Sequence, residues 1–242
     1  MKTKLISQIV AGAGVATASV LAGYAFAIRP WHLRWGATAD EQNELLPGDE
    51  VVPNPEHQAT HAITIEAPVA GVWQWLVQIG QSRGGFYSYT WLENLVGCDM
   101  HNADRVVPEW QNIRVGDVVW LHPEFPPLSV IVVEPFKAIV LGSPAYQGDA
   151  EWSPNAESGT WGFFLKKVTD DKTRLITRMR FDRNPGTVNW IYNYAILEPA
   201  HFIMERKMMI GIKQRAEGQI RVTSATQTVT DSGILAIADS DR

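Results

Sequence analysis

Residues that could do chemistry concentrate in one stretch of this chain, Arg83–Arg105, with the sequence RGGFYSYTWLENLVGCDMHNADR. Arg83, Tyr87, Tyr89, Trp91, Glu93, Asp99, His101, Asp104 and Arg105 set aromatic faces among ionisable groups. His101 beside Asp99 or Asp104 has the parts of a general base oriented by a carboxylate, and Tyr87 is the second candidate for moving protons. The competing reading makes His101 an ordinary surface histidine. It also lets Phe86, Tyr87, Tyr89 and Trp91 seal a core. Metal binding is not assigned. The order Asp99, His101, Asp104 matches no metal motif, and Cys98-Asp99-Met100-His101 is half a zinc site with no second pair anywhere in the chain.

Other chemistry is thinner. Arg178 and Arg180 share one face of a strand by period-two arithmetic and would bind an anion if that face looked inward. The alternate face, Leu175, Thr177, Met179 and Phe181, competes for the core, which turns the arginines outward. His201, Glu205 and Arg206 fall on a helical stretch, where His201 and Glu205 have the spacing of a surface pair. No Gly-rich phosphate loop follows a strand and no nucleophile elbow is present. No cofactor is implied. A net charge of −5 gives no basic field for nucleic acid, so none is expected as a partner. The lone cysteine, Cys98, rules out an internal disulfide.

The elements that must position these residues read as follows. Ile63 and Ile65 alternate with Thr64 and Glu66 as a half-buried strand, and Pro68 opens a helix whose apolar stripe is Val72, Trp73, Leu76 and Val77. Trp91–Val96 is a short helix. Val115–His122, Leu128–Glu134 and Ala138–Gly142 are β-branched strands, and Tyr146–Ser158 is a polar loop. Gly159–Val168 and Thr173–Asp182 form a hairpin around Asp170-Asp171-Lys172. Val188–Leu197 and Pro199–Ala216 are helical, the latter with a methionine-rich stripe through Phe202 and Met209.

The ends differ from this middle. Leu5–Ile28 contains no charged residue and, at about 1.5 Å per residue, spans a hydrocarbon layer of roughly 30 Å. Ala25-Phe26-Ala27 would suit signal cleavage. The apolar run exceeds the ~7–15 residues usual in signals, however, and an aromatic-basic sequel, RPWHLRW, follows. The run is therefore read as a single-pass membrane anchor, with a slight charge bias placing the domain outside the cytoplasm. The expected organisation is an anchor and juxtamembrane segment over 1–35, an extended linker over 36–59, a domain over 60–216 and a disordered tail over 217–242.

The order strand, helix, insert, antiparallel strands and closing helix resembles the helix-grip fold of the SRPBCC superfamily, which includes START domains, the birch-pollen allergen family and polyketide cyclases. The marks are Ile63-Thr64-Ile65-Glu66-Ala67-Pro68 with Val72-Trp73, and the closing helix. RPWHLRWGAT and GQSRGGFYSYTWLENL are similar to an uncharacterised bacterial, membrane-anchored group within it. The resemblance implies an α+β fold with a curved antiparallel sheet wrapped around a long C-terminal helix and an apolar cavity between them. It also implies a ligand-binding set of Arg83, Phe86, Tyr87, Tyr89, Trp91, Arg105, Trp161, Phe202 and Met209. The expected partner is a hydrophobic small molecule or lipid, bound by a carrier. Two alternatives stay open: a cyclase- or dehydratase-like enzyme using the same cavity, and an interaction module whose cavity is filled by its own side chains. No protein partner is legible.

Overall fold

The computed structural model describes residues 23–143, 158–182 and 193–218. The β-branched runs are realised as one antiparallel sheet of β1 (His57–Ile65), β2 (Val118–Val119), β3 (Leu128–Glu134), β4 (Ala138–Gly142), β5 (Ser158–Thr169) and β6 (Lys172–Asp182). The spatial order β1-β6-β5-β4-β3-β2 makes β2 to β6 a meander, with β1 added beside β6. β3 and β4 have the predicted bounds, and the β5–β6 hairpin turns at Thr169–Lys172. β2 is far shorter than the expected Val115–His122. Gly116 turns the chain before it, and Pro123, Pro126 and Pro127 cannot donate to a ladder after it, so only Val118 and Val119 pair with β3.

Among the described residues five α-helices join the sheet: α1 (Arg29–His32), α2 (Ala39–Asn43), α3 (Val69–Leu76), α4 (Thr90–Leu95) and α5 (Glu198–Ala216). Pro68 is the N-cap of α3, which buries Val72, Trp73, Trp75 and Leu76. Pro199 lies in the first turn of α5, where its missing N–H costs nothing. Of the expected helix Val188–Leu197, the part Asn193–Leu197 is a π-helical turn leading into α5, and 188–192 lie outside the described residues. α5 packs against α3 and β1, and the core between helices and sheet includes Ile65, Val72, Leu76, Phe163, Leu175, Met209 and Ile212. Gly211 lets α5 approach the insert. A Cβ there would overlap the Tyr87 carbonyl oxygen and lie 2.7 Å from the Tyr87 Cβ.

The segment expected as an extended linker is folded. Thr38 caps α2 through a capping box with Glu41. Gly36, at φ +72°, turns the chain tightly over the Ala62 carbonyl. Leu46 packs on Ala62, Val140, Phe164 and Ile176, all on the sheet face opposite α5. Residues 36–52 therefore form a strap over the outer face, which explains why β6 buries residues on both of its faces. The arginines do face away from the main core, but into this strap rather than into water: Arg178 and Arg180 bind Asp49 at 2.6 and 2.9 Å. β1 starts at His57, so the domain boundary moves forward as well.

Arg29–Trp35, expected as a juxtamembrane segment, packs on the domain. The Thr60 N–H donates to the Leu33 carbonyl and the Ala62 N–H to the Trp35 carbonyl, laying this segment beside β1. Trp31, His32 and Trp35 pack around Phe202. Arg29 grips Glu198 with two 3.0 Å hydrogen bonds, and His32 and His57 flank the same carboxylate. Burial alone would raise Glu198, but those three partners outweigh it and hold the carboxyl at about 2. Among the described residues no helix is long and apolar enough to cross a membrane. The anchor expected over Leu5–Ile28 lies mostly outside the described residues; its end, Tyr24–Ile28, is a π-helical turn. The expected tail lies outside them from residue 219 on.

Candidate functional site

Between the inner face of the sheet and α5 lies a cavity of about 260 Å³ that the described side chains do not fill. Its wall is mainly apolar. Phe86 and Met100 come from the insert, Leu128 and Leu141 from β3 and β4, Trp161 from β5, Met179 and Phe181 from β6, and Met204 and Met208 from α5. The polar side chains are few: Ser88, Glu93 and Cys98 from the insert, Ser143 just after β4, Thr160 from β5, and His201 and Glu205 from α5. No lysine or arginine lines it among the described residues. Its size falls just below the ~300–1,000 Å³ usual for small-molecule sites.

Glu205 is the most deeply buried charge in this wall, 2% exposed. Trp161 Nε1 donates to its Oε1 at 2.7 Å, and His61 Nδ1 meets its Oε2. His61 Nε2 lies 2.7 Å from the His32 carbonyl oxygen, which can only accept, so Nε2 carries a proton. One further proton is therefore shared between His61 Nδ1 and Glu205, and the pair is neutral overall wherever it sits. Burial alone would raise the Glu205 carboxyl; His61 and His201 overcome that and hold it well below the usual carboxylate range. His201 stands 3.6 Å from Glu205 through Nε2, too far for a hydrogen bond, with its ring edge-on to Trp161. That nitrogen is buried and has no hydrogen-bond partner within the described protein.

Glu93 lies on α4 across the cavity, 8% exposed, and its Oε2 is also buried without a partner. With nothing cationic near it, burial pushes its carboxyl up to about 7. The folded value lies above the ordinary 4.5. The folded state thus holds a proton that the unfolded chain has released, and this stabilisation is complete below the unfolded value and lost as pH rises through the folded one. Between about pH 5 and about pH 8, Glu93→Gln should therefore gain roughly 2 kcal/mol in urea-unfolding free energy relative to wild type. Parallel pH profiles for the two proteins would refute a protonated Glu93.

The sequence-derived site residues scatter. Phe86 and Trp161 line the cavity, stacked at 5.7 Å. Tyr87 does not: its hydroxyl donates to the Trp75 carbonyl at 3.1 Å, and burial raises its phenol. Arg215 covers its ring at 4.4 Å. Arg83 donates to the Trp110 carbonyl, Tyr89 sits under Lys207, and Trp91 is 69% exposed. Arg105 is exposed, its carbonyl accepting from Gln78. Phe202 faces Trp31 and Trp35 rather than the cavity, and Met209 is core, with Thr177 against its sulfur. His101 is 80% exposed, 3.8 Å from an equally solvated Asp99, because the Gly97-containing loop carries both outward. A general base there has no wall to hold a substrate. His61 is the residue that the sequence does not single out, and His201 and Glu205, expected as a surface pair on a helix, are part of the cavity wall instead. Period-two arithmetic puts His61 on the face of Ile63 and Ile65, and helical spacing puts Glu205 between Phe202 and Met208 on the buried stripe of α5.

No family model matches the chain, and neither does any curated protein. Among solved structures it is similar to a hypothetical protein of Helicobacter pylori, at 11% identity and a TM-score of 0.44, over 72% of this chain and 96% of that one. It is similar to norcoclaurine synthase of Thalictrum flavum at 11% identity and 0.38, over 65% and 91%. It is also similar to a putative protein of the dynemicin biosynthetic locus at 15% and 0.34, over 64% of this chain and 46% of that one. At such identities and TM-scores, nothing about ligand or activity passes from these structures to this chain.

Proposed function

We propose that this protein is a helix-grip domain of SRPBCC type that binds a hydrophobic small molecule in the cavity beneath α5. The observation that carries the reading is the cavity itself, walled by Phe86, Leu141, Trp161, Met179 and Met208 and left open by the described side chains. A void so lined lacks dispersion partners on one side, and an apolar guest restores them. The apolar run from Leu5 extends the proposal, since a single-pass anchor would hold such a domain beside a lipophilic source. Native mass spectrometry of the full-length protein, followed by organic extraction, tests the binding. A released apolar compound, absent from Met204→Trp because its indole occupies the space, is the expected result. A clean mass that survives challenge with a panel of fused-ring and acyl compounds overturns it.

One observation favours a second reading, an enzyme using the same cavity. His201, backed by Glu205 and His61, is the proton-handling group that faces the cavity, in place of His101 or Tyr87. The enzyme would return a compound different from the one supplied, and His201→Phe would bind that compound without converting it. Recovery of every supplied compound unchanged decides for the carrier.

A further inference from the structure

Among the described residues four buried side-chain polar atoms have no hydrogen-bond partner, His32 Nδ1, Arg180 Nε, Glu93 Oε2 and His201 Nε2, and the last two belong to residues of the same cavity. An orphaned buried polar group costs about 1–3 kcal/mol and is a sign of a missing partner. Resting on the reading that the cavity holds a ligand, we propose that the ligand is an uncharged, mostly apolar molecule with two hydrogen-bonding groups, one met by Glu93 and the other by His201.

The charge of the ligand follows from the wall. An anionic guest would meet two carboxyl side chains, Glu93 and Glu205, with no lysine or arginine among the described lining residues to offset them. A cationic guest finds Glu205 already occupied, since Trp161 binds one carboxylate oxygen and His61 the other. Glu93, beside Cys98 in a cavity wall that also includes Met100, Leu121 and Leu128, holds its proton as a neutral acid and donates to a hydroxyl or carbonyl oxygen. His201 Nε2, 3.6 Å from the carboxylate, takes the second group from the opposite wall. The cavity's 260 Å³ suits a fused-ring compound such as a naphthalenediol better than a long acyl chain. A fatty acid fails on both charge and length.

Equilibrium dialysis with full-length protein tests this against naphthalene, 2-naphthoate and the 1,5-, 2,6- and 2,7-dihydroxynaphthalenes. At least one diol should bind about tenfold or more tighter than naphthalene, the gain of two modest hydrogen bonds. Naphthoate should bind more weakly than naphthalene. Glu93→Leu and His201→Phe should each remove most of the diol preference while naphthalene affinity changes little. Glu93→Gln, which keeps shape and a donor, should retain much of that preference and serves if the leucine variant does not fold by circular dichroism. Diols no tighter than naphthalene, a preference that survives both variants, or naphthoate as the tightest ligand overturns the two-point recognition and leaves the cavity reading standing. If folded protein binds none of the probes, the cavity reading falls and takes this one with it.

Discussion

Glu205→Leu is expected to destabilise the protein by about 3–5 kcal/mol, the range for removing one partner of a buried ion pair. Leucine matches much of the volume but strands two donors at once: Trp161 Nε1 loses its only carboxylate oxygen, and His61 Nδ1 faces a methyl group. His61 cannot turn away, because the His32 carbonyl fixes its other nitrogen. Glutamine is a different case. Its carbonyl accepts from Trp161 and its amide donates to a neutral His61, so every group keeps a partner and the loss should be about 1 kcal/mol or less. The double variant His61→Leu/Glu205→Leu should recover part of the single leucine loss, since the stranded imidazole is gone; recovery is incomplete because Trp161 Nε1 stays without its acceptor and the His32 carbonyl loses its donor. The sign of the pH effect is that of a depressed acid. Its stabilisation is complete above the ordinary carboxyl value of 4.5 and is lost as pH falls towards the depressed folded one. Guanidinium unfolding followed by circular dichroism measures these three variants and the single His61→Leu. Equal stability of wild type and Glu205→Leu, or a double variant worse than the sum of the singles, would sink the paired carboxylate.

Local pattern made the sheet readable and hid the site. Leu128–Glu134 and Ala138–Gly142 announce themselves by β-branched content between prolines, and the alternation of Leu175, Thr177 and Met179 with arginines sets the facing of β6 from sequence alone. The outward facing of Arg178 was legible too. Its partner was not, because Asp49 sits in a stretch whose prolines and acids look like solvated linker, and only the fold brings it across the outer face. The same physics is two-sided at Arg29–Trp35. Indoles and cations suit a headgroup region, yet they suit equally a surface offering Phe202 and Glu198. At the cavity, the sequence suggests that Glu205 is one end of a surface pair with His201, because glutamates on helices are usually solvated. Its position on the stripe of Phe202 and Met208 carried the contrary signal. The Arg83–Arg105 insert contributes Phe86, Ser88, Glu93, Cys98 and Met100 to the cavity wall, but one short helix and its loops give too little periodicity to tell Glu93, turned in, from His101, turned out.

Arg178→Met should cost a similar ~3–5 kcal/mol, for a different reason and in a different place. The guanidinium, 2% exposed, spends its donors on the strap: Glu41 O at 2.6 Å, Gln42 O at 3.1 Å, Glu44 O at 2.8 Å and Asp49 Oδ2 at 2.6 Å, with Thr60 Oγ1 at 3.2 Å on β1. Methionine fills the space but offers no donor, so three backbone carbonyls lose an arginine donor together. Arg180 still holds Asp49 Oδ1 at 2.9 Å, which caps the loss below that of an isolated buried carboxylate. Lysine restores the charge without the planar fork and should fall between the two. The strap should then open before the sheet does, with limited proteolysis cutting within 36–52 in Arg178→Met at protease levels that leave wild type intact. Because the strap and the cavity lie on opposite faces of the sheet, naphthalenediol affinity should stay within about twofold of wild type under conditions where the variant is folded. A variant as stable and as protease-resistant as wild type would mean that Leu46 and Val52, not the arginine, hold the strap. A loss of diol binding from the folded variant would mean that the outer face and the cavity are coupled through β6, whose Met179 touches one and whose Arg178 touches the other.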